Sequence, residues 1–255
     1  MTGEAPDRDH MAALEKGLAV IECFDAAHHR LTIADVARAT DLSRAAARRC
    51  LLTLTRIGYA AFDGKFFTLT PRVLRLGHAW LASAALPQLV QPFLERLSEE
   101  THESCSASLL DGHEIVYIAR SAQRRIMSVG LSVGSRLPAS CTSMGRVLLA
   151  ARDPADARAR ILAGRPRALT PHTVTNPDRL AEILAGVRAQ GYCIVDQELE
   201  LGLISIAMPL LNPRGEVVAA FNLSGQVQRS SAEEMAARFL PGMRQLQALL
   251  RPLIS

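Results

Sequence analysis

Residues 32–70 constrain the fold of this chain more than any other stretch. They read "TIADVARATDLSRAAARRCLLTLTRIGYAAFDGKFFTLT", two helical runs separated by a very short turn and followed by a hairpin. Thr32 can cap the first run, and Asp35, three residues on, can reach back to complete a capping box. "DLS" forms the turn. Ser43 is the natural N-cap of the second run, "RAAARRCLLTLTRIG", which Gly58 stops. At about 100° per residue, Arg44, Ala45, Arg48, Arg49, Leu52 and Arg56 share one arc, whereas Ala46, Ala47, Cys50, Leu51, Leu54 and Ile57 occupy the opposite one. One face is basic and carries no acid; the other is apolar.

A helix, a tight turn and a second helix with an arginine-bearing outer face make a helix-turn-helix, whose second helix enters the major groove of duplex DNA. "YAAFDGKFFTLTP" then reads as two short strands around Asp63-Gly64, a dipeptide suited to a two-residue hairpin because both central positions need positive φ. That is a wing, with Lys65 at its tip in reach of phosphates. The predicted DNA-binding residues are Thr32, Ser43, Arg44, Ala45, Arg48, Arg49 and Lys65. A charged helix face is commonly just solvated; the missing acids and the wing favour DNA.

Upstream, Met11, Leu14, Leu18, Ile21 and Phe24 recur at three- and four-residue steps, one face of an amphipathic helix. Downstream, "PRVLRLGHAWLASAALPQL" runs from Pro71 to a break expected at Pro87. This connector carries Leu74, Trp80 and Leu81. Together with the first helix it offers more apolar surface than a small winged domain needs. The surface could dock on its own chain, but pairing of two chains is favoured, because a helix-turn-helix reads two half-sites as a symmetric pair.

At 255 residues, two domains are expected. The boundaries read 10–72 for the winged helix-turn-helix, 73–86 for a linker helix and 87–255 for a larger domain. Net charge is +4, and residues 1–75 hold 11 basic against 9 acidic side chains, so the surplus is not stacked at one end. No apolar run is long enough to span a bilayer, and the N-terminus lacks the basic-then-apolar order of a secretion signal, so a cytoplasmic protein with no membrane contact is expected. Five scattered cysteines without a C-x-x-C pair argue against a disulfide framework or zinc knuckle. No metal and no cofactor are expected.

Beyond Pro87 the pattern is α+β. "QPFLERLSEETH" reads as a helix, followed by strands joined at Asp111-Gly112 and by "RIMSVGLSVGSRLP", extended and broken by glycines. Two helices with Asp153-Pro154 and Asn176-Pro177 starts follow, the second closed by Gly191. "YCIVD", "LISIAMPLL" and "EVVAAFNLSG" read as strands, the last two joined by the turn "NPRG", and a final helix runs from about Ser231 to Leu250. Hairpin connections imply a mostly antiparallel sheet.

"RLPASCTSMG" at 136–145 presents Ser140, Cys141, Thr142 and Ser143 in a row. As nucleophiles they would need a base and an orienting group. No G-x-S-x-G elbow exists, and His102, His113 and His172 show no metal-ligand spacing. As the start of a helix at Thr142 or Ser143, the same residues would direct the backbone N–H groups of Ser143, Met144 and Gly145 outward, a setting that attracts carboxylates. Arg120 and Arg136, near strand ends, could add a forked clamp. On these residues alone, Thr142 or Ser143 could equally do no more than cap its own helix. No catalytic residue is predicted.

Several stretches in this order, "LEKGLAVIECF", the segment from Leu31 through the wing, "VGSRLPASCTSMGRVLLA", "GYCIVDQELELGLISIAMPL" and "EVVAAFNLSG", resemble the IclR family of transcriptional regulators. "RIMSVGLSVGSRLPASCTSMGRVLLA" is most similar to the branch regulating protocatechuate and 4-hydroxybenzoate catabolism. The resemblance implies a winged helix-turn-helix, a linker helix and an effector-binding domain, in dimers or tetramers on promoter DNA. It further implies a small organic acid, in that branch an aromatic acid or a β-ketoadipate pathway metabolite, over the helix start, with Cys141, Thr142, Ser143, Met144, Asp196, Ser205, Asn222 and Ser224 facing it. Relatives often carry serine or cysteine where this chain has Asn222, and "DQELE" departs from the usual acidic pair. An IclR-type regulator of another carboxylate, glyoxylate-like or acylated, is the nearest alternative; an enzyme using Ser140–Gly145 is the more distant one.

Overall fold

The computed structural model describes residues 10–25, 28–122, 131–229 and 231–254. "RIMSVG", the first part of the glycine-broken stretch, lies outside them, as does the side chain of Leu81. The chain divides into two compact units between Ser83 and Ala84.

The first unit contains α1 (Ala12–Glu22), α2 (Ile33–Ala39), α3 (Arg44–Arg56), β1 (Ala60–Phe62), β2 (Phe67–Leu69) and α4 (Leu74–Ser83), with a 3-10 turn at Pro71–Val73. Its core is Val20, Leu31, Val36, Ala47, Leu51, Leu54 and Phe67. Both expected caps are present: Thr32 and Asp35 form a reciprocal capping box, and Ser43 Oγ accepts from Ala46 N at 3.2 Å. The stripe of α1 is largely uncovered, as its surplus apolar surface implied, with Met11, Leu14 and Leu18 exposed at 68%, 58% and 44% and Val20 supplying the buried contact of this helix. Two expectations change. Ile57 is 45% exposed rather than core, since it is the C-cap and has left the helical arc. The wing turn is a four-residue loop, Asp63–Phe66, closed by Phe62 against Phe67. Asp63 Oδ1 accepts from the N–H groups of Lys65 (2.9 Å) and Phe66 (2.7 Å), and only Gly64 adopts positive φ, +101°. An Asx turn has replaced the two-residue hairpin.

The second unit begins with α5 (Ala85–Thr101), β3 (Ser104–Asp111), β4 (Glu114–Ser121) and β5 (Arg136–Pro138), followed by a 3-10 turn at Ala139–Cys141. It continues with α6 (Ser143–Ala150), α7 (Pro154–Ala163), α8 (Pro177–Gln190), β6 (Cys193–Asp196), β7 (Leu203–Leu211), β8 (Val217–Gln226) and α9 (Ala232–Leu250). The break expected at Pro87 falls at Ala84, and α5 runs through Pro87. Proline is tolerated there because the first-turn N–H groups have no helical partner. The β3–β4 loop is Gly112-His113, one residue later than expected, with φ +61° at Gly112.

Six strands form one sheet in the order β5-β4-β3-β8-β7-β6, antiparallel at each pairing of described residues. Period-two alternation gives it two buried faces. Ile204, Ile206, Met208 and Leu210 of β7 and Phe221 and Leu223 of β8 pack against α5 and α9. On the other face, α6, α7 and α8 pack over Ile115, Tyr117, Val195, Ala207 and Ala220. The second face is not wholly apolar. Ser104, Ser106 and Ser108 of β3, Ser205 of β7 and Asn222 of β8 are buried polar residues.

Candidate binding sites in the two units

In the first unit, α3 buries Ala47, Leu51 and Leu54 and leaves Arg44, Ala45, Arg48 and Arg49 exposed. None of these arginines forms an ion pair with a described residue, so the donors are available to a polyanion. At the wing tip, Arg30 pairs with Asp63 at 2.6 Å and lies 4.7 Å over the Phe66 ring, while Lys65 Nζ lies 5.1 Å from that ring. The N–H groups of Phe66 and Lys65, followed by Arg30, pull the Asp63 carboxyl down to about 2. Thr32 is half-buried, and its hydroxyl donates to Asp35 Oδ2 at 2.6 Å, so its part is in shaping the start of α2.

On the same unit, Leu14, Leu18, Ile21, Cys50, Ile57 and Leu76 line an apolar groove of about 650 Å³. Trp80 and Leu74 are exposed nearby in sequence on α4.

In the second unit a pocket opens at the start of α6. Its walls are Tyr117, Arg120, Leu131, Cys141, Thr142, Ser143, Met144, Val195, Leu199, Leu203, Ser205, Asn222 and Ser224. Thr142 is the N-cap of α6 and its Oγ1 accepts from Gly145 N at 3.3 Å. That contact corrects one expectation, because the Gly145 N–H is occupied. The N–H groups of Ser143 and Met144 have no partner among the described residues and remain as donors. Gly145 is required by packing: an added Cβ would overlap the carbonyl and Cα of Ala139 in the preceding 3-10 turn.

The floor is built by strand register. Arg120 lies opposite Ser106, and Ser106 opposite Asn222, in one row across β4, β3 and β8. Ser205 and Ser224 are opposite each other in the next row. Arg120 would face away from Tyr117 in a regular strand. A bulge makes Ile118 an extra residue between the pairs Ser108–Tyr117 and Ala107–Ala119, which resets the alternation and turns both side chains into the pocket. Arg120 Nη1 donates to Ser106 Oγ at 3.3 Å, Ser205 Oγ donates to Ser143 Oγ at 2.9 Å, and Asn222 Nδ2 donates to Ser224 Oγ at 2.9 Å. Among the described residues, the two buried side-chain polar atoms without a partner are Arg120 Nε and Asn222 Oδ1. Both residues line this pocket, so one donor and one acceptor on its walls are unused.

Eight of the ten predicted effector residues line the pocket; Arg136 and Asp196 do not. Arg136 is on the edge strand β5, held by Asp111 at 2.8 Å and Glu114 at 2.7 Å. Asp196 is the exposed last residue of β6. Sequence reasoning missed Tyr117 and the aliphatic walls Leu131, Val195, Leu199 and Leu203. Alternation along "GYCIVD" could have found Val195, but nothing local announced the bulge.

The chemistry of the pocket is that of an anion receptor. Arg120 is the one charged residue among its described walls, and no histidine, aspartate or glutamate joins it. Burial pushes the Cys141 thiol up to about 11, although Arg146 pulls the other way, so the thiolate is scarce at neutral pH. Burial likewise raises Tyr117 to about 12 and keeps its phenol protonated as a donor. A nucleophile with neither a base nor a low pKa does not support catalysis. The pocket is narrow, with a cavity volume of about 30 Å³, below the ~300–1,000 Å³ of typical small-molecule sites.

Comparison with known proteins agrees with this geometry. Residues 13–64 match the IclR helix-turn-helix domain and residues 78–248 the bacterial transcriptional regulator IclR C-terminal domain. The chain is 49% identical over 236 residues to the Pca regulon regulatory protein of Pseudomonas putida, covering 92% of this chain and 81% of that one. It is 40% identical over 256 residues to the p-hydroxybenzoate hydroxylase transcriptional activator of Acinetobacter baylyi, covering 98% and 94%. A crystal structure of a double mutant of the PobR inducer-binding domain from Acinetobacter, in complex with 3-hydroxybenzoic acid, superimposes with a TM-score of 0.63. It is 38% identical and covers 67% of this chain and all of that one. Among the described residues no helix is long and apolar enough to cross a membrane, and no group of three or more histidine, cysteine, aspartate or glutamate residues could hold a metal ion.

Proposed function

The chain belongs to the IclR family of transcriptional regulators, and on that footing we propose that its pocket senses a hydroxylated aromatic acid, whose binding alters how the basic helix α3 engages promoter DNA. It is a regulator and not an enzyme. Residues 10–72 read the DNA, 73–86 link, and 87–255 hold the effector, in the cytoplasm where the promoter lies.

The observation that carries this reading is the pair of unused polar atoms in the pocket. Arg120 Nε is a donor for a carboxylate, and Asn222 Oδ1 is an acceptor for a hydroxyl. The Ser143 and Met144 N–H groups and the dipole of α6 add to the field at the carboxylate. Leu131, Val195, Leu199 and Leu203 supply apolar surface for a ring. The relatives point the same way, being named for the Pca regulon and for p-hydroxybenzoate hydroxylase, with a hydroxybenzoate held by the PobR domain. One observation favours a smaller acid such as glyoxylate: the centre of a water-sized sphere has only about 30 Å³ of room. The four aliphatic walls decide for the ring, since a two-carbon acid would leave them uncovered.

The exposed stripe of α1, the groove beside it and Trp80 are assigned to pairing of two chains, which presents two copies of α3 to successive half-sites. Regulation requires that the effector bind the DNA-competent and DNA-incompetent arrangements with different affinity. Calorimetric titration of the full chain with protocatechuate, 4-hydroxybenzoate, β-ketoadipate and glyoxylate tests the effector class. Binding of glyoxylate alone would overturn the aromatic reading.

A further inference from the structure

Beside the pocket, and not among its lining residues, lies a buried ion pair. Arg146 of α6 and Glu198 of the loop between β6 and β7 meet through two bonds of 2.6 Å each, with side chains 3% and 9% exposed. No other ion pair among the described residues is buried on both sides. The remaining polar atoms are also spoken for: Arg146 Nε donates to the carbonyl of Ser140 at 2.8 Å, and Glu198 Oε2 accepts from Val174 N at 2.9 Å. The Glu198 carbonyl accepts from Thr173 Oγ1 and the Gln197 carbonyl from Thr170 Oγ1, each at 2.6 Å.

These bonds join four segments: the 3-10 turn before α6, α6 itself, the 170–174 loop and the 197–202 loop. Three of them line the pocket, the turn and α6 through Cys141, Thr142, Ser143 and Met144 on one side and the 197–202 loop through Leu199 on the other. The forked guanidinium fits both carboxylate oxygens and still reaches Ser140, a geometry that a lysine cannot reproduce. A buried pair of this kind is a weak source of stability, because desolvation offsets the attraction, and hydrophobic replacements of similar volume are often tolerated. Its value lies in fixing positions.

We propose that Arg146 and Glu198 are positioning residues for the effector site, holding the N–H groups of Ser143 and Met144 in register with the Leu199 wall. The proposal rests on the reading of the pocket as an effector site, deepens it, and makes no claim about which acid binds.

The test compares the full chain with Arg146→Lys, Arg146→Met and the double variant Arg146→Met with Glu198→Met. Arg146→Met strands a buried carboxylate and is expected to lose stability; the double variant restores folding without restoring the bonds to Ser140 and Val174. Calorimetry with protocatechuate and 4-hydroxybenzoate is expected to show about tenfold or greater weakening in the folded double variant and in Arg146→Lys, as when outer partners of a ligand set are removed. Amide exchange without ligand is expected to quicken in the 170–176 and 197–203 segments of the double variant while β7, β8 and α9 keep their protection. Native-like affinity together with unchanged exchange in a folded double variant overturns the proposal. If the unaltered chain binds neither acid, the effector reading fails, and the exchange experiment alone decides the positioning role.

Discussion

Arg120 and Asn222 lie in one row across three strands with Ser106 between them, and each leaves one buried polar atom unpaired. A buried polar atom without a partner is costly, and two of opposite hydrogen-bonding character on residues lining the same pocket suit a ligand carrying both an acceptor and a donor. Asn222→Leu removes the unsatisfied acceptor together with the Nδ2 bond to Ser224 Oγ, a smaller loss because Ser224 is only half-buried. It is expected to raise the stability of the ligand-free chain by about 1 kcal/mol, within the ~1–3 kcal/mol cost of such a group, and to abolish discrimination between 4-hydroxybenzoate and benzoate. Urea denaturation and paired titrations with the two acids read both effects.

Gly145 and Ser140 separate main-chain geometry from side-chain chemistry. Gly145→Ala forces a methyl group onto the carbonyl and Cα of Ala139 and is expected to cost about 1–3 kcal/mol by overpacking, with effector affinity falling as well. For Ser140, the bond that matters is made by its carbonyl to Arg146. Ser140→Ala is expected to stay within about 0.5–1 kcal/mol of the parent chain. Denaturation midpoints rank the two; equal costs would contradict the account.

Cys141 sits in the pocket wall with its thiol pushed up to about 11 by burial. In the folded protein it is expected to resist iodoacetamide at pH 8, and to react once the chain is unfolded. Mass mapping of the modified peptide gives the answer, and rapid native labelling would reopen a nucleophilic role.

Alanine at Arg44, Arg48 or Arg49 is expected to weaken binding to promoter DNA. An arginine that neutralises a phosphate, once replaced, lowers the salt slope by about 0.9 and affects all sequences alike, whereas replacing one that reads a base relaxes preference at one position. Titrations at several salt concentrations sort the three arginines. Affinity independent of salt would contradict the assignment of α3.

Asp63 shapes the wing loop as a carboxylate. Its folded value of about 2 lies below the usual 3.8, so its contribution is present above about pH 4 and is lost as pH falls through about 2. Carboxyl carbon shifts followed by NMR from pH 6 to 2 are expected to show Asp63 titrating toward about 2 rather than at the usual 3.8.

Signals confined to a few neighbouring residues were legible in the sequence. The Thr32–Asp35 box, the Ser43 cap, the Asp153-Pro154 and Asn176-Pro177 starts and the Asn212–Gly215 turn each rest on contacts within four residues. The basic arc of α3 was legible for the same reason. The extra residue at Ile118 depends on how β4 pairs with β3, so the sequence could not show that Arg120 faces the pocket. Arg136 looked equivalent to it until Asp111 and Glu114 were found beside it. The Arg146–Glu198 pair spans 52 residues and has no local signature. The α1 stripe was legible as apolar surface beyond what the first unit needs, and Met11, Leu14 and Leu18 are indeed exposed, but a periodic pattern shows that a face is apolar without showing what covers it.

The central claim is that a carboxylate binds at Arg120 and the start of α6. Calorimetric titration of protocatechuate and 4-hydroxybenzoate into the full chain and into Arg120→Gln tests it most directly. Saturable binding of at least one acid, weakened about tenfold or more in Arg120→Gln by loss of a charge-assisted bond of ~1.5–3 kcal/mol, is the predicted result. Equal affinity in the two proteins would contradict it.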